Sequence, residues 1–362
     1  MSTSQQFTAP DNTSFATFSA WAKPISDFLA SIGWVQQSDT GQAVWVATVL
    51  TMTQVAVTGG NSVYSYSSFT GPTPRVGMSI IVTGFATGGN NVTATLTAVS
   101  GGASGTVTVA TSTQVNETHA GSGTTTASTL PGTSAYIYEI WAPGDALQTG
   151  GTAYYFRIDY GTGGSANVPS FKVNLGTSTN GAGTLSGTTL TSITSGTVGQ
   201  STTQFECDFS GDTGRLDFIL WRTHTTGTSR FLFAIERTLN VDGTPSSDGV
   251  TIFYGNSGSN ATKQQTLLFG IGAATQYSRT PFIINGQSTS STDPLNNNTP
   301  ISPVFPCYGK FGNPQTVFAA INGGDIGDGC LFTTTLYGST RTYMASLNAM
   351  FQNATAVAFR YD

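Results

Sequence analysis

Residues 136–160, YIYEIWAPGDALQTGGTAYYFRIDY, constrain the fold more tightly than any other stretch of the chain. In the first half Tyr136, Tyr138 and Ile140 share one face and Glu139 takes the other; in the second, Tyr154, Phe156, Ile158 and Tyr160 lie opposite Arg157 and Asp159. A period of two specifies strands with one buried face. Pro143, Gly144, Asp145, Gly150 and Gly151 between them are turn formers, so the two runs are expected to pair antiparallel as a long-looped hairpin. Pairing symmetric about the loop sets Glu139 opposite Arg157 on a solvent face.

Composition extends this strand reading to the whole chain. Of 362 residues only 9% are charged, and just four are Lys and four Glu, the residues that helical proteins place on exposed faces. Abundant Thr, Val, Phe and Tyr favour strands instead. Apolar content of 38% and a net charge of -5 suit a folded chain. A pI near 4.9 without a Lys/Arg run argues against nucleic-acid binding, which needs clustered cations. The N-terminus has no basic or apolar leader pattern, and no window approaches the roughly 20 apolar residues of a membrane span. The expectation is a chain without membrane insertion, made and kept soluble in a cytoplasm.

Residues 12–33 form the one convincing helix pattern. Phe15, Phe18, Ala22, Ile25, Phe28, Leu29 and Ile32 recur at spacings of three and four, with Ser14 among the candidate caps and Gly33 suited to the residue beyond the end. Pro24 predicts a kink or a break. Ala43–Leu50 reads as a buried strand. From about Val55 to Pro131 the composition shifts to small polar residues, with short strands in SVYSYSSF, SIIVTGF, NVTATLTAVS and GTVTVATS between Gly-rich turns. After the central hairpin, strands recur every 10 to 20 residues, roughly the spacing of a sandwich. The expected fold is all-β: an antiparallel β-sandwich with an N-terminal amphipathic helix and an inserted small barrel-like domain. The expected division is residues 1–54 for the helix and first core strand, 55–131 for the insert and 132–362 for the main sandwich.

Catalytic signals are sparse. The two histidines, His119 and His224, lie outside any nucleophile-elbow or H-E-x-x-H context. Asp208, Asp212 and Asp217 around one turn are the candidates from which an acid pair for glycan cleavage could form, against the commoner reading of solvated strand-face carboxylates. Asp325 and Asp328 in NGGDIGDG offer a weak Ca²⁺ site, against the plain-turn reading. Cys207, Cys307 and Cys330 are odd in number and lack metal-ligand spacing; Cys207 is expected as a buried thiol, and Cys307 and Cys330 as two free thiols, against the alternative that they approach each other and pair. No cofactor and no enzymatic activity are expected.

Three segments, NTSFATFSAWAKPISDFLASIGWVQQSDTGQ, YEIWAPGDALQTGGTAYYFRIDYGTGGSANVPSFKVNLGTSTNGAGTLSG, and SGDTGRLDFILWR with FAIERTLNVDGTPSSDG, resemble structural proteins encoded in the tail-gene region of tailed bacteriophages and prophages. The likeness covers residues 12–42 and most of 136–250. The insert, with PRVGMSIIVTGFATGGNNVTATLTAVSGG and VNETHAGSGT, resembles a small β module that recurs in phage virion proteins and has no catalytic residues to carry over. The resemblance implies a virion component, in tail, baseplate or fibre attachment, that forms a homo-oligomer and docks with other virion proteins. Capsid decoration and a tail-tip protein binding host surface glycan are the alternatives it leaves open, with a glycan depolymerase behind them.

Overall fold

The computed structural model describes residues 1–7, 14–37, 43–128, 131, 136–151, 153–163, 168–181, 183–186, 190–194, 205–221, 230–240, 242–256, 265–270, 277–279, 301–303, 317–320, 331–336, 339–351 and 354–362. The fold is all-β around one substantial helix, and its sheets are antiparallel. The first sheet has seven strands in the order Ser2–Phe7, Phe205–Asp212, Arg215–Trp221, Arg230–Leu239, Pro245–Asn256, Gln265–Gly270 and Tyr277–Arg279. The second has five: Leu190–Thr194, Val168–Gly176, Tyr155–Gly163, Tyr136–Ala142 and Val35–Gln36. A C-terminal sheet orders Ile301–Pro303, Val317–Ala320, Ala354–Arg360, Ser339–Phe351 and Leu331–Leu336.

The apolar faces of the first two sheets share one core with the helix. Phe156 stacks on Phe233 across the sheets with centroids 5.3 Å apart, and Ile158, Val173 and Leu175 join Phe209, Phe218 and Ile235 in the same cluster. The helix, Phe15–Ser31, touches both sheets, because Trp21 meets Tyr160 edge-on at 6.4 Å and Phe28 stacks on Phe209 at 5.3 Å. Each such large side chain contributes about 1.5–3 kcal/mol by leaving water. Ser14 and Thr17 form the N-terminal capping box. At the other end Trp34 N–H donates to Leu29 O and Gly33 N–H to Ala30 O, a Schellman pair that needs the positive φ of 88° at Gly33. Of the two outcomes expected at Pro24, the break does not occur: Pro24 lies within one continuous helix, whose face from Phe18 to Leu29 is held by the core on both sides of it.

The insert is a closed six-stranded barrel in the order Val49–Thr58, Asn61–Thr70, Gly105–Val109, Thr93–Gly101, Ser79–Thr83 and Glu117–Thr125, which returns to the first strand. Its separate core includes Leu50, Met52, Tyr64, Ile80, Val82, Leu96, Val107 and Val109. Gly59 and Gly60, both at positive φ, make the two-residue turn that joins Thr58 to Asn61. The expected core strand at Ala43–Leu50 is corrected here. The strand begins at Val49 and belongs to the barrel, because Leu50 and Met52 point into the barrel core and pairing runs to residues 61–70 and 117–124. The two leads touch where they leave the barrel, with Thr125 N–H donating to Thr48 O at 2.9 Å and Thr48 N–H to Thr125 Oγ1 at 2.6 Å.

The central hairpin pairs as expected but one residue out of the expected register. Phe156 faces Trp141, Ile158 faces Glu139 and Tyr160 faces Ile137, so Arg157 lies opposite Ile140 and not Glu139. A one-residue shift exchanges the faces of a strand. Ile137, Glu139 and Trp141 therefore turn toward the core, while Tyr136 and Tyr138 turn away and receive Lys172 and Arg157 over their rings, each at 3.9 Å.

Candidate functional site

Two polar constellations stand out, one structural and one open. The first is centred on Glu139, which is fully buried. Ser26 Oγ, Gln36 Nε2 and Trp45 Nε1 donate to its Oε1 at 2.8, 3.0 and 2.9 Å, while Tyr160 OH and Trp141 Nε1 donate to Oε2 at 3.0 and 3.3 Å. These donors come from the helix, the strand Val35–Gln36, the lead into the barrel and both strands of the central hairpin. Trp45 also stacks on Phe15 and meets Tyr160 edge-on, so the lead is anchored in the core by its ring as well as by its N–H. Arg75, from the barrel, reaches back to Ala43 O at 3.4 Å. Burial lifts the Glu139 carboxyl above its ordinary value, against the pull of Ser26, Trp45, the Arg75 charge and Tyr160. The cluster clamps helix, hairpin and barrel lead together.

The second constellation lies on the other face of the first sheet. Along the strands Phe205–Asp212 and Arg215–Trp221, Cys207, Phe209, Leu216 and Phe218 enter the apolar core, so Asp208, Ser210, Asp212, Arg215 and Asp217 share the opposite side. Alternation makes that side look solvated, yet Asp208, Ser210, Arg215 and Asp217 are all buried. The last residues of the chain reach them: Tyr361 OH donates to Asp208 at 3.3 Å, Ser210 Oγ to Asp362 O at 3.1 Å, and Arg215 Nη2 to Asp362 O at 2.6 Å. Arg215 also pairs with Asp217 and lies opposite Glu236 on the adjacent strand. Burial pushes the Asp217 carboxyl well up, with Glu236 adding to the shift and Arg215 opposing it.

This charged layer opens at one end into a cavity of about 230 Å³ lined by Asp145, Asp212, Arg215, Glu236, Arg237, Arg341 and Arg360 with five uncharged residues. The first sheet, the C-terminal sheet and the loop of the central hairpin, through Asp145, contribute to it. Arg237 makes a bidentate pair with Asp145 at 2.5 and 3.0 Å and sits 5.0 Å over the Tyr154 ring. Arg360 pairs with Asp362 at 2.5 Å. Arg341 enters no ion pair among the described residues, and its Nε is shielded from solvent without an acceptor.

The sequence candidates distribute unevenly over these sites. Asp208, Asp212 and Asp217 do share one face, but Asp208 and Asp217 are shut beneath the C-terminal residues and only Asp212 reaches the cavity. Two carboxyls flanking a scissile bond need access on both sides. Cys207 is buried in the core and its thiol is pushed well up by burial. His119 is exposed on a barrel strand. Asp325, Asp328, Cys307, Cys330 and His224 lie outside the described residues. Among the described residues no three His, Cys, Asp or Glu side chains group as metal ligands. Glu139, Arg341 and Arg237 were not legible as site residues; the flanking Ile137 and Trp141 were the available signal for Glu139.

No protein-family model matches the chain, and no curated protein matches it. Among solved structures, the phage phi92 endosialidase aligns with a TM-score of 0.20 and 10% identity, covering 88% of this chain and 52% of that one. The chain thus spans about half the length of that protein, and a likeness at this level establishes no common fold.

Proposed function

We propose that the chain is a non-enzymatic structural protein of a tailed-phage particle, a component of the tail, baseplate or fibre attachment that assembles as a homo-oligomer among other virion proteins. The observation that supports this reading most directly is the mounting of the barrel. A closed module without free edges is carried on a sandwich by two hydrogen-bonded leads, one of them riveted through Trp45 to the Glu139 cluster. The segments that resemble phage tail-region proteins make up the frame of that mounting: the helix, the central hairpin and the middle of the first sheet. Closure protects the barrel from strand addition, whereas among the described residues the outer strands Ser2–Phe7 and Leu190–Thr194 leave sheet edges on the sandwich for neighbouring subunits. The buried carboxylates are engaged by internal donors, as befits packing and not turnover.

The test is quantitative mass spectrometry of purified particles, read as copies relative to the major capsid protein. A small multiple of about three or six copies supports the tail assignment. Hundreds of copies would move the chain to capsid decoration, and absence from clean particles would overturn the virion reading.

A further inference from the structure

The cavity between the first sheet, the C-terminal sheet and the loop of the central hairpin has no part in the architectural role above, and its walls do not resemble a packing defect. Seven of its twelve lining residues are charged, so it is polar space suited to a solute or water, not a dry void. Its four guanidinium groups are not equivalent. Arg237 is engaged by Asp145, Arg360 by Asp362, and Arg215 by Asp217 and the Asp362 carbonyl. Arg341 has no such partner among the described residues, and its Nε, like that of Arg215, is held out of solvent without a hydrogen-bond acceptor. A donor withdrawn from water without an acceptor is costly, and an incoming acceptor recovers that cost. The planar guanidinium fork matches the paired oxygens of a carboxylate or a phosphate.

The rest of the lining narrows the ligand. Asp212, half exposed at the turn, and the buried Glu236 line the same space and add negative charge to it. They disfavour a second anion and accept hydrogen bonds from hydroxyl groups. The cavity is smaller than the roughly 300–1,000 Å³ of drug-sized pockets, which limits the occupant to about one ring. We propose that this cavity binds a carboxylate-bearing, hydroxyl-rich group, chemically one acidic sugar residue, with Arg341 holding the carboxylate and Asp212 and Glu236 accepting from hydroxyls. The assignment is independent of the particle reading, since it concerns this cavity alone.

Isothermal titration of the full chain with sodium glucuronate, glucose and inorganic phosphate tests it. Glucuronate is expected to bind, and Arg341→Ala to weaken that binding about tenfold or more, the worth of one charge-assisted fork. Glucose, which lacks the carboxylate, is expected to bind at least about tenfold more weakly than glucuronate by the same reasoning. Arg341 has no ion-pair partner to lose among the described residues, so Arg341→Ala should keep the wild-type unfolding midpoint. Arg341→Lys, which keeps the charge and loses the fork, serves if the alanine variant is unstable and should also bind more weakly. No heat with glucuronate, equal affinity for glucose, or unchanged affinity in a folded Arg341 variant would overturn the proposal. Phosphate binding as tight as glucuronate would overturn the sugar assignment by marking a general anion site.

Discussion

The Glu139 cluster makes a sharp prediction because two of its five donors are indoles. Trp45 Nε1 donates to one carboxylate oxygen and Trp141 Nε1 to the other, and an indole N–H can only donate. In Glu139→Gln, whichever way the amide is turned, one indole faces an NH₂ group and loses its acceptor. The hydroxyls of Ser26 and Tyr160 can rotate to accept, so the expected loss is one buried unsatisfied donor with some weakening of the rest, about 2–3 kcal/mol. Glu139→Ala removes the acceptor from all five donors and leaves a void, and is expected to cost about 5 kcal/mol, at the upper end for a single substitution. Equilibrium urea unfolding followed by tryptophan fluorescence measures both. The fluorescence reports the sandwich side, because residues 49–125 contain no Trp. If Glu139→Ala lost less than about 1 kcal/mol, the ordinary scale of a surface change, the clamp reasoning would be refuted.

Breaking the bidentate pair with Asp145→Ala should destabilise by about 3 kcal/mol, since Arg237 is only 3% exposed; thermal unfolding of the single variant checks it. At Gly123 an added Cβ would overlap Met52 Cε and Ile80 Cδ1, so Gly123→Val should destabilise the barrel by about 2–3 kcal/mol while the tryptophan-detected transition stays put. Burial raises the Asp362 carboxyl, but Arg360, Thr342 N–H and Arg215 outweigh it and the net shift is downward. A folded value below the unfolded one gives stability that is present above the ordinary carboxylate range and is lost as pH falls through the folded value. Asp362→Asn should therefore flatten part of the acid limb of the stability-pH profile, and an unaltered limb would count against the assignment.

Local pattern carried much of the architecture. The helix face, its cap and Gly33 follow from spacing alone, and most strands of the sandwich and barrel can be read from alternation. Two kinds of information were not local. At Tyr136–Ala142 both alternating sets, Tyr136/Tyr138/Ile140 and Ile137/Glu139/Trp141, contain large apolar residues, and a lone Glu argues for solvent unless its donors are known. Those donors lie up to 113 residues away. The charged face of the first sheet failed for the same reason, because its cover comes from Tyr361 and Asp362 at the far end of the chain. Ser339–Phe351, with its run of Met, Ala and Leu, has local helix propensity, yet it pairs on both sides within the C-terminal sheet, where tertiary context overrides that weak preference.

The contact between Thr48 and Thr125 has a consequence for how such a chain can change over time. The backbone enters and leaves the barrel at two points already joined by hydrogen bonds, so everything from Val49 to Thr124 is a cassette whose removal leaves a gap that a tight turn can bridge. Loss or exchange of the cassette would leave the sandwich core, to which its interior contributes nothing, intact. A lineage carrying this frame is thus free to trade the module for another of the same footprint, and to vary what it displays without refolding what holds it.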